Sequence, residues 1–312
     1  MEFRSKIGYF RTLALALSEL DVIVSFANYA CQHQAVRPEF SENMSIKNAK
    51  HPILLSLKSY SSVVGNDYVY DVSGQGGMVV VTGSNMSGKS TYIQQVVHMC
   101  VLAQMGCFIS ADYVALPIYT KFLVRVGSDD DLRSNASNFG TEMSEVAYIM
   151  ERTKCLGDGA GSRGLVIIDE LGRGTGLSEG VAIAMAVCEA LLRHSRATVF
   201  VATHFGKLAK FLEGNENVSL VRLQSSLCAM KKNLRYTYRA VPGRNDIQNY
   251  GLVLAEMMRL PQELCTTASA LLQRVKDAEG EGVSTSGLRS QIAKRKLILK
   301  VSRWQNSPSS SF

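Results

Sequence analysis

Two glycines, a lysine and a serine at fixed spacing form the segment of this chain best suited to chemistry. Gly83 and Gly88 are five positions apart, and Lys89 and Ser90 follow at once, within VVVTGSNMSGKSTY. Glycines permit a sharp turn whose backbone N–H groups point into one concavity and hold phosphates. The lysine reaches the β- and γ-phosphates, and the serine hydroxyl ligates Mg²⁺. The alternative is a glycine-rich turn without a ligand. The predicted nucleotide-binding residues of this loop are Gly83, Ser84, Asn85, Met86, Ser87, Gly88, Lys89, Ser90 and Thr91.

Three further polar residues follow apolar segments elsewhere in the chain. Asp169 and Glu170 come directly after LVII, and His204 comes after VFVAT. A carboxylate at the end of a core strand holds Mg²⁺ beside a phosphate loop, so we assign this role to Asp169 together with Ser90. The adjacent Glu170 can polarise a water molecule for attack on the γ-phosphate. The alternative is an acid pair that faces solvent.

His204 can sense or hydrogen-bond the γ-phosphate, although a single histidine after a strand is more often structural. The residues predicted to be catalytic are Lys89, Glu170 and His204.

Several segments together resemble the ATPase domain of the MutS family, which is related to the ABC ATPases. They are GSNMSGKSTY, DELGRGT, ATHF, SDDDLRSNASNFGTEMSEVAYI and YGLVLAEMMRLP. The opening SELDVIVSFANYA, with RPEF and HPILL, is also similar, so the resemblance covers residues 8–275. It implies an α/β P-loop NTPase with a mainly parallel sheet, and ATP and Mg²⁺ as ligands. The alternative of an ABC transporter subunit is disfavoured by the opening helix and by YGLVLAEMMRLP.

The resemblance also assigns residues outside the loop. Ser137 matches the signature-loop serine that reaches across a dimer to the partner's γ-phosphate. Asn66 matches an asparagine beside the nucleotide, and Asn85 matches the family's phosphate-contacting asparagine. Tyr238 matches a ring that stacks on adenine, whereas Val63 replaces a second aromatic residue; the alternative for Tyr238 is a core tyrosine.

One departure from the family pattern lies after the strand-end acids. Gly176 and Leu177 replace a Ser-Thr pair in a loop at the family's dimer interface. This puts communication between subunits in doubt more than hydrolysis. A nucleotide-binding dimerisation module with negligible hydrolysis therefore remains an alternative function.

The acid triplet Asp129–Asp131 and Ser87 resemble the eukaryotic meiotic branch of the family. That branch implies a nuclear ATPase that pairs with a second MutS homologue, binds branched DNA intermediates and promotes crossovers. A mismatch-repair ATPase is the alternative. The family's mismatch-reading and connector domains lie upstream of the matched region, so we expect only a fragment of the DNA clamp here.

Alternating apolar strands and helices must position the candidate residues. Met78–Val81, Leu165–Ile168 and Thr198–Ala202 are predicted to be buried strands. The predicted helices that follow or precede them are Ser90–Gln104, Met143–Leu156 and Glu179–His194. Such alternation predicts an α/β domain with a mainly parallel sheet.

The chain is predicted to have four regions. Residues 1–50 form the helical end of a lever, with a helix over 7–34, and residues 51–255 form the ATPase domain. Within it, short strands and turns are expected over 51–72, with a turn at Gly65, Asn66 and Asp67, and strands are expected over 115–126. Residues 256–278 form a helix-turn-helix dimerisation element broken at Pro261, and 279–312 form a basic tail predicted to be disordered.

Composition bounds the cellular setting. The net charge is +7, but the six basic residues after Glu281 leave the rest nearly neutral, so charge alone does not establish DNA binding. Seven dispersed cysteines without a secretory signal indicate reduced thiols in the cytosol or nucleus. No stretch of the sequence is apolar enough to predict a membrane span.

Overall fold

The computed structural model describes residues 2–58, 60–70, 77–127, 138–156, 162–194, 197–228, 233–244 and 250–282. The chain divides into two compact units, residues 1–247 and residues 248–312. All the predicted site residues belong to the first unit, and the second contains a pair of helices.

The helices agree with most of the predicted helical segments. Within the described residues they are α1 (Glu2–Gln32), α2 (Pro52–Leu57), α3 (Lys89–Gln104), α4 (Asn138–Lys154), α5 (Leu177–His194), α6 (Gly206–Leu212), α7 (Tyr250–Met257) and α8 (Gln262–Gly282), with a 3-10 turn at Tyr60–Ser62. Pro261 separates α7 from α8, although the first of these begins at Tyr250 rather than Glu256. No helix among these combines the length and apolarity that a membrane crossing requires.

The strands form a central sheet and two smaller ones. In the described part of the chain they are β1 (Ala35–Val36), β2 (Glu39–Phe40), β3 (Met44–Ala49), β4 (Asn66–Tyr70), β5 (Met78–Thr82), β6 (Ile109–Ser110), β7 (Tyr113–Leu116), β8 (Lys121–Arg125), β9 (Gly164–Asp169), β10 (Ala197–Thr203), β11 (Val218–Cys228) and β12 (Asn233–Pro242).

The central sheet has the order β12-β11-β5-β10-β9-β8. Its neighbours pair in parallel except for the antiparallel hairpin of β11 and β12. Every residue of β5, β9 and β10 is buried, as expected for strands covered on both faces. The predicted α/β architecture with a mainly parallel sheet is confirmed.

The register of β10 aligns the ends of its two neighbours. Thr203 of β10 lies opposite Thr82 of β5, and Ala202 lies opposite Asp169 of β9. Because parallel strands end at the same edge of a sheet, the phosphate loop, the acid pair and His204 all emerge there.

Alternate residues of the central strands enter two apolar clusters, one on each face of the sheet. Val79, Ile167 and Phe200 pack in the cluster that includes residues of α3. Their neighbours Val80 and Ile168 pack in the cluster that includes residues of α4, α5 and α6. Both faces therefore exclude water from the strands that carry the site.

Buried tyrosines attach a second sheet, of order β2-β7-β3-β4, to helix α3. The Tyr68 ring stacks on Tyr92 with centroids 4.5 Å apart, and the Tyr68 hydroxyl donates to the Tyr92 carbonyl at 3.1 Å. The hydroxyls of Tyr70 and Tyr92 are 2.9 Å apart. Strand β4, which begins at Asn66, is thereby held against the helix that follows the phosphate loop.

The prediction for residues 51–72 is wrong in two places. Helix α2 begins at Pro52, where the fixed φ of proline suits the first helical turn, and His51 Nδ1 accepts a hydrogen bond from the Leu54 amide at 3.4 Å. Asn66 and Asp67 lie in β4 rather than in a turn. Long-range hydrogen bonds explain this, since Asp67 Oδ1 accepts from the Asn48 amide at 2.7 Å.

Candidate nucleotide-binding and catalytic site

The edge of the sheet where β5 and β9 end opens onto a cleft of about 700 Å³. Ligands of open parallel sheets bind at this edge because the loops diverge there. The predicted residues that line the cleft are Asn66, Asn85, Met86, Gly88, Lys89, Ser90, Thr91, Glu170 and Tyr238. The cleft therefore joins the phosphate loop, one strand-end acid and the two residues predicted near adenine.

The phosphate loop passes through left-handed backbone conformations before α3 begins. Met86 has φ 64° and is 80% exposed, and Gly88 has φ 96° at the N-cap of α3. Glycine has no side chain to cap the first helical turn, so the backbone N–H groups there have no capping partner. The residues of this turn line the cleft, where such N–H groups can bind phosphate. A methyl group on Gly88 would lie 3.3 Å from Cδ1 of Tyr238, so glycine also leaves space for that ring.

Lys89, the first residue of α3, is 5% exposed. Its Nζ donates to the carbonyl oxygens of Gly83 and Ser84, each at 3.2 Å, and lies 3.7 Å from Oε1 of Glu170. Burial lowers the pKa of Lys89, while the charges of Glu170 and Asp169 act in the opposite direction. The ammonium group is thus held inside the loop by acceptors that phosphate oxygens can replace.

Asp169 ends β9 and is buried, and the Ser90 side chain is close enough to influence its pKa. Burial raises the pKa of Asp169, and Ser90 and the Lys89 charge only partly oppose this. Among the described residues, Asp169 Oδ1 has no hydrogen-bond partner. A carboxylate and a hydroxyl oxygen side by side are ligands of the type that Mg²⁺ prefers, so the pair predicted to hold Mg²⁺ fits it.

The buried hydroxyls of Ser84 and Ser87 also have no hydrogen-bond partner within the described part of the chain. Both residues belong to the phosphate loop, and the Ser87 amide donates to the Ser84 carbonyl at 3.3 Å. Buried hydroxyls normally form hydrogen bonds, so these two could donate hydrogen bonds to a ligand bound in the loop.

Glu170 is the first residue beyond β9, and its φ of 49° is unusual for a residue with a side chain. Its side chain is 20% exposed and forms ion pairs with two cations. Oε1 lies 3.7 Å from Lys89 Nζ, and Oε2 lies 3.0 Å from Arg173 Nη1. The carboxylate is therefore in the cleft, beside the lysine of the phosphate loop.

His204 follows β10 and packs its ring against Phe205, with centroids 4.2 Å apart. Burial lowers the pKa of His204, while the charge of Glu170 raises it and that of Lys89 lowers it. The imidazole is therefore mainly neutral at pH 7, with one nitrogen able to accept and the other able to donate. His204 is not among the residues that line the cleft, but its pKa responds to the charges of Glu170 and Lys89, which do line it.

Tyr238 enters the cleft from an irregularity in the β11–β12 hairpin. Leu223 pairs with Ala240 and Ser225 with Tyr236, so Tyr238 lies in a bulge, and its φ is 55°. Bulges redirect side chains, and here the ring is 48% exposed beside Gly88. A core role for this tyrosine is therefore wrong.

Asn66 holds the bulge through both ends of its side-chain amide. Its Nδ2 donates to the Tyr238 carbonyl at 3.1 Å, and its Oδ1 accepts from the Ala240 amide at 2.8 Å. Asn66 is 8% exposed. Its contribution to the cleft is thus to fix the backbone of Tyr238.

Some predictions fall outside the described residues. Ser137, the residue predicted to reach a partner's nucleotide, is one of them, and Asp129–Asp131 are others. Arg173, by contrast, lines the cleft but was not among the predicted residues. Its position three residues after Glu170, within DELGRGT, is the signal that could have identified it.

We predict that Asp169→Asn stabilises the protein without nucleotide or metal. Because burial raises the pKa of Asp169 above its ordinary value of 3.8, the folded protein binds this proton more tightly than the unfolded chain. Ionisation therefore lowers the free energy of unfolding as the pH rises from 3.8 through the folded pKa.

Asparagine removes that cost, so thermal unfolding near neutral pH should show a gain in stability that shrinks as the pH falls towards 4. Asp21→Asn, on the exposed surface of α1, is the control and should change stability little. A loss of stability at neutral pH would contradict the prediction.

We predict that Tyr238→Ala weakens the binding of adenine nucleotides about tenfold, since stacking of an aromatic ring on a base contributes about 1–3 kcal/mol. Tyr238→Phe keeps the ring and should bind like the unmodified chain. Tyr148→Ala removes a ring of similar exposure, 52%, from α4 and serves as the control. Equilibrium binding of a fluorescent ATP analogue measures all three, and equal affinity for Tyr238→Ala would exclude stacking.

Comparison with known proteins gives a family for this arrangement. Residues 79–276 match the family model described as MutS domain V. The human protein named MutS protein homolog 4 is 35% identical over 267 residues, which cover 84% of this chain and 27% of that protein. The Arabidopsis thaliana DNA mismatch repair protein MSH4 is 34% identical over 316 residues, which cover 96% and 38% of the two chains.

A bacterial relative matches as well. The Oceanobacillus iheyensis DNA mismatch repair protein MutS is 31% identical over 277 residues, 88% of this chain and 31% of that protein. The chain therefore spans 27% to 38% of the length of these three relatives. The family match covers both the phosphate loop from Val79 and the strand-end acids. The chain belongs to the MutS family, and domain V of that family matches the part of the chain that contains the phosphate loop and the strand-end acids.

Proposed function

We propose that this chain is the ATP-binding and ATP-hydrolysing module of a MutS-type DNA clamp. The observation that carries the proposal is the convergence of Lys89, Ser90, Asp169 and Glu170 at one edge of the sheet. Lys89 contacts Glu170, Asp169 contacts Ser90, and all but Asp169 line one cleft. These residue types serve phosphate binding, metal binding and activation of water.

In this proposal the phosphates of ATP lie against the N-terminus of α3. The triphosphate attracts Lys89 from the carbonyl oxygens of Gly83 and Ser84, because a charged acceptor outcompetes neutral ones. Ser90 and Asp169 hold Mg²⁺, which when bound withdraws negative charge from the phosphate oxygens. Tyr238 stacks on adenine, and Asn66 keeps the tyrosine in place.

Release of Lys89 also changes the surroundings of Glu170. The carboxylate loses one of its two cationic neighbours and keeps Arg173 at 3.0 Å. It then accepts a proton from water as the water oxygen bonds to the γ-phosphorus. The bond from that phosphorus to the β–γ bridging oxygen breaks, which releases ADP, while His204 donates a hydrogen bond to the γ-phosphate from its neutral ring. The chemistry consists of positioning and electrostatic stabilisation, as in other phosphoryl transfers.

We propose further that the module works with a second MutS homologue, whose nucleotide Ser137 contacts across the interface. The lever end would comprise residues 1–50, the ATPase domain residues 51–255 and the dimerisation element residues 256–278. Two of the relatives described above bear the names MutS protein homolog 4 and DNA mismatch repair protein MSH4. The resemblance of the Asp129–Asp131 and Ser87 sequence positions to the meiotic branch supports a nuclear role on branched recombination intermediates in meiotic crossover formation.

Two alternatives have specific support. A role in mismatch repair is supported by the names of the Arabidopsis thaliana and Oceanobacillus iheyensis relatives, both of which are called DNA mismatch repair proteins. A module that binds nucleotide but hydrolyses it negligibly is supported by Gly176 and Leu177, which replace the Ser-Thr pair, and by an exposed Leu177.

We predict that Glu170→Gln lowers ATP turnover at least about a hundredfold, because an amide cannot accept the proton from water. The affinity for ATP should stay within a few-fold, since the amide also removes repulsion of the γ-phosphate. Glu151→Gln removes a carboxylate from the exposed surface of α4 and is the control. Phosphate release at saturating ATP measures turnover.

Unchanged turnover in Glu170→Gln would remove this residue from the mechanism. Undetectable turnover in the unmodified chain would favour the module that binds nucleotide without hydrolysing it.

We predict that a second MutS homologue raises the turnover of this chain, because Ser137 of each subunit would complete the partner's site. The measurement compares the chain alone, with the partner, and with the partner plus a four-way DNA junction or a mismatched duplex. Greater stimulation by the junction is expected for the meiotic role. Greater stimulation by the mismatch would instead favour mismatch repair, and no effect of the partner would contradict the shared site.

A further inference from the structure

A buried ion pair joins β8 to α4 next to the strand-end acids. Arg125 is the last residue of β8, and Glu142 lies in the second turn of α4. Arg125 Nη2 lies 3.5 Å from Glu142 Oε1, and the two side chains are 10% and 4% exposed. Charges removed from water to this extent require further polar contacts, and those contacts indicate what the pair does.

Both members of the pair also bond the backbone on either side of Glu170. Arg125 Nη1 donates to the Asp169 carbonyl at 2.5 Å, and Glu142 Oε1 accepts from the Gly172 amide at 2.7 Å. The pair therefore spans the turn formed by residues 169–172.

The backbone of this turn needs such support. Glu170 has φ 49°, a conformation disfavoured by its Cβ, and conformations of this kind persist only where their surroundings fix them. Gly172 has φ 85°, and a methyl group on it would lie 2.5 Å from the Gly180 carbonyl oxygen of α5. The Glu170 amide donates to the Ala202 carbonyl at 2.9 Å. Among the described residues, side chains that bond the backbone on the two sides of Glu170 are those of Arg125 and Glu142.

We propose that the Arg125–Glu142 pair positions the carboxylate of Glu170 through the Asp169 carbonyl and the Gly172 amide. The pair sets the rate of ATP turnover and leaves nucleotide affinity nearly unchanged, because neither side chain belongs to the phosphate loop. This inference rests on the proposed function, in which Glu170 activates water. Arg125 and Glu142 are accordingly positioning residues rather than catalytic ones.

A second carboxylate on the same helix provides a matched comparison. Glu145 Oε2 lies 3.4 Å from Arg125 Nε, but its side chain is 50% exposed. Glu145 shares Arg125 as an ion-pair partner with Glu142. Within the described residues, however, Glu145 forms no hydrogen bond to the turn of residues 169–172. If the ion pair served only the packing of α4 on β8, removal of either carboxylate would have comparable effects on turnover.

The test measures kcat and KM for ATP in four variants of the full chain. Glu142→Ala should lower kcat by about ten- to a hundredfold, the range produced by small misplacements of catalytic groups, with KM within about threefold. Glu142→Gln retains an oxygen that accepts from the Gly172 amide and should recover most of the rate. Glu145→Gln should stay within about twofold of the unmodified chain.

Arg125→Lys keeps the charge, but one ammonium group cannot replace the separate guanidinium contacts to Asp169 and Glu142, so kcat should fall. This variant decides the question if Glu142→Ala does not fold. Thermal unfolding identifies that case. An unchanged kcat in every folded variant, or a KM that rises as much as kcat falls, would overturn the proposal.

A double-variant cycle separates this inference from the proposed function. If Glu142 acts through Glu170, then Glu142→Ala should cost nothing further in a Glu170→Gln background. Independent, multiplicative losses would overturn the inference. Normal turnover in Glu170→Gln would remove Glu170 from the mechanism and overturn the positioning role with it, whereas undetectable turnover in the unmodified chain would overturn the proposed function.

Hydrogen exchange supplies a measurement independent of turnover. Exchange in the peptide that contains Gly172 should accelerate in Glu142→Ala and stay slow in Glu145→Gln. Equal exchange in these two variants would overturn the contact on which the inference depends.

Discussion

The in-register pairing of β10 with β5 and β9 is the constraint on which the site depends. Thr203 opposite Thr82 and Ala202 opposite Asp169 place three chain segments at one edge of the sheet. A shift of one residue would move each side chain of a strand to the opposite face of the sheet. Both faces are closely packed here, so each side chain would leave the cluster into which it fits. The same packing that stabilises the sheet therefore determines where the phosphate loop, the acids and His204 meet.

The parts of the site that follow directly from local sequence could be predicted. The phosphate loop and the acid pair each adjoin a continuous apolar run, and such a run predicts a buried parallel strand. A residue that directly follows such a strand in the sequence is then predicted to lie at the edge of the sheet where the parallel strands end. The structure places Lys89, Ser90, Asp169 and Glu170 at the same edge of the sheet, as strand direction and strand ends predict.

Features that depend on long-range hydrogen bonds could not be predicted in this way. Asn66 lies in a strand and bonds the backbone of β12, 172 residues away, whereas its local sequence indicated a turn. Arg125 and Glu142 belong to segments of mixed polarity, where a charged residue ordinarily faces solvent. Their burial follows from contacts with the turn after β9. Helix α2 is too short for periodicity to indicate it, and only Pro52 marks its start.

The internal bonds of Lys89 have a thermodynamic consequence for every anion that enters the cleft. The ammonium group already has two carbonyl acceptors at 3.2 Å and a carboxylate at 3.7 Å. An incoming ligand must replace these bonds, so its net affinity is the difference between two sets of contacts. A small anion with few oxygens gains little from that exchange, whereas a triphosphate spread along the whole loop gains much more. Competition from the loop's own backbone for Lys89 should thus favour ligands with longer phosphate chains.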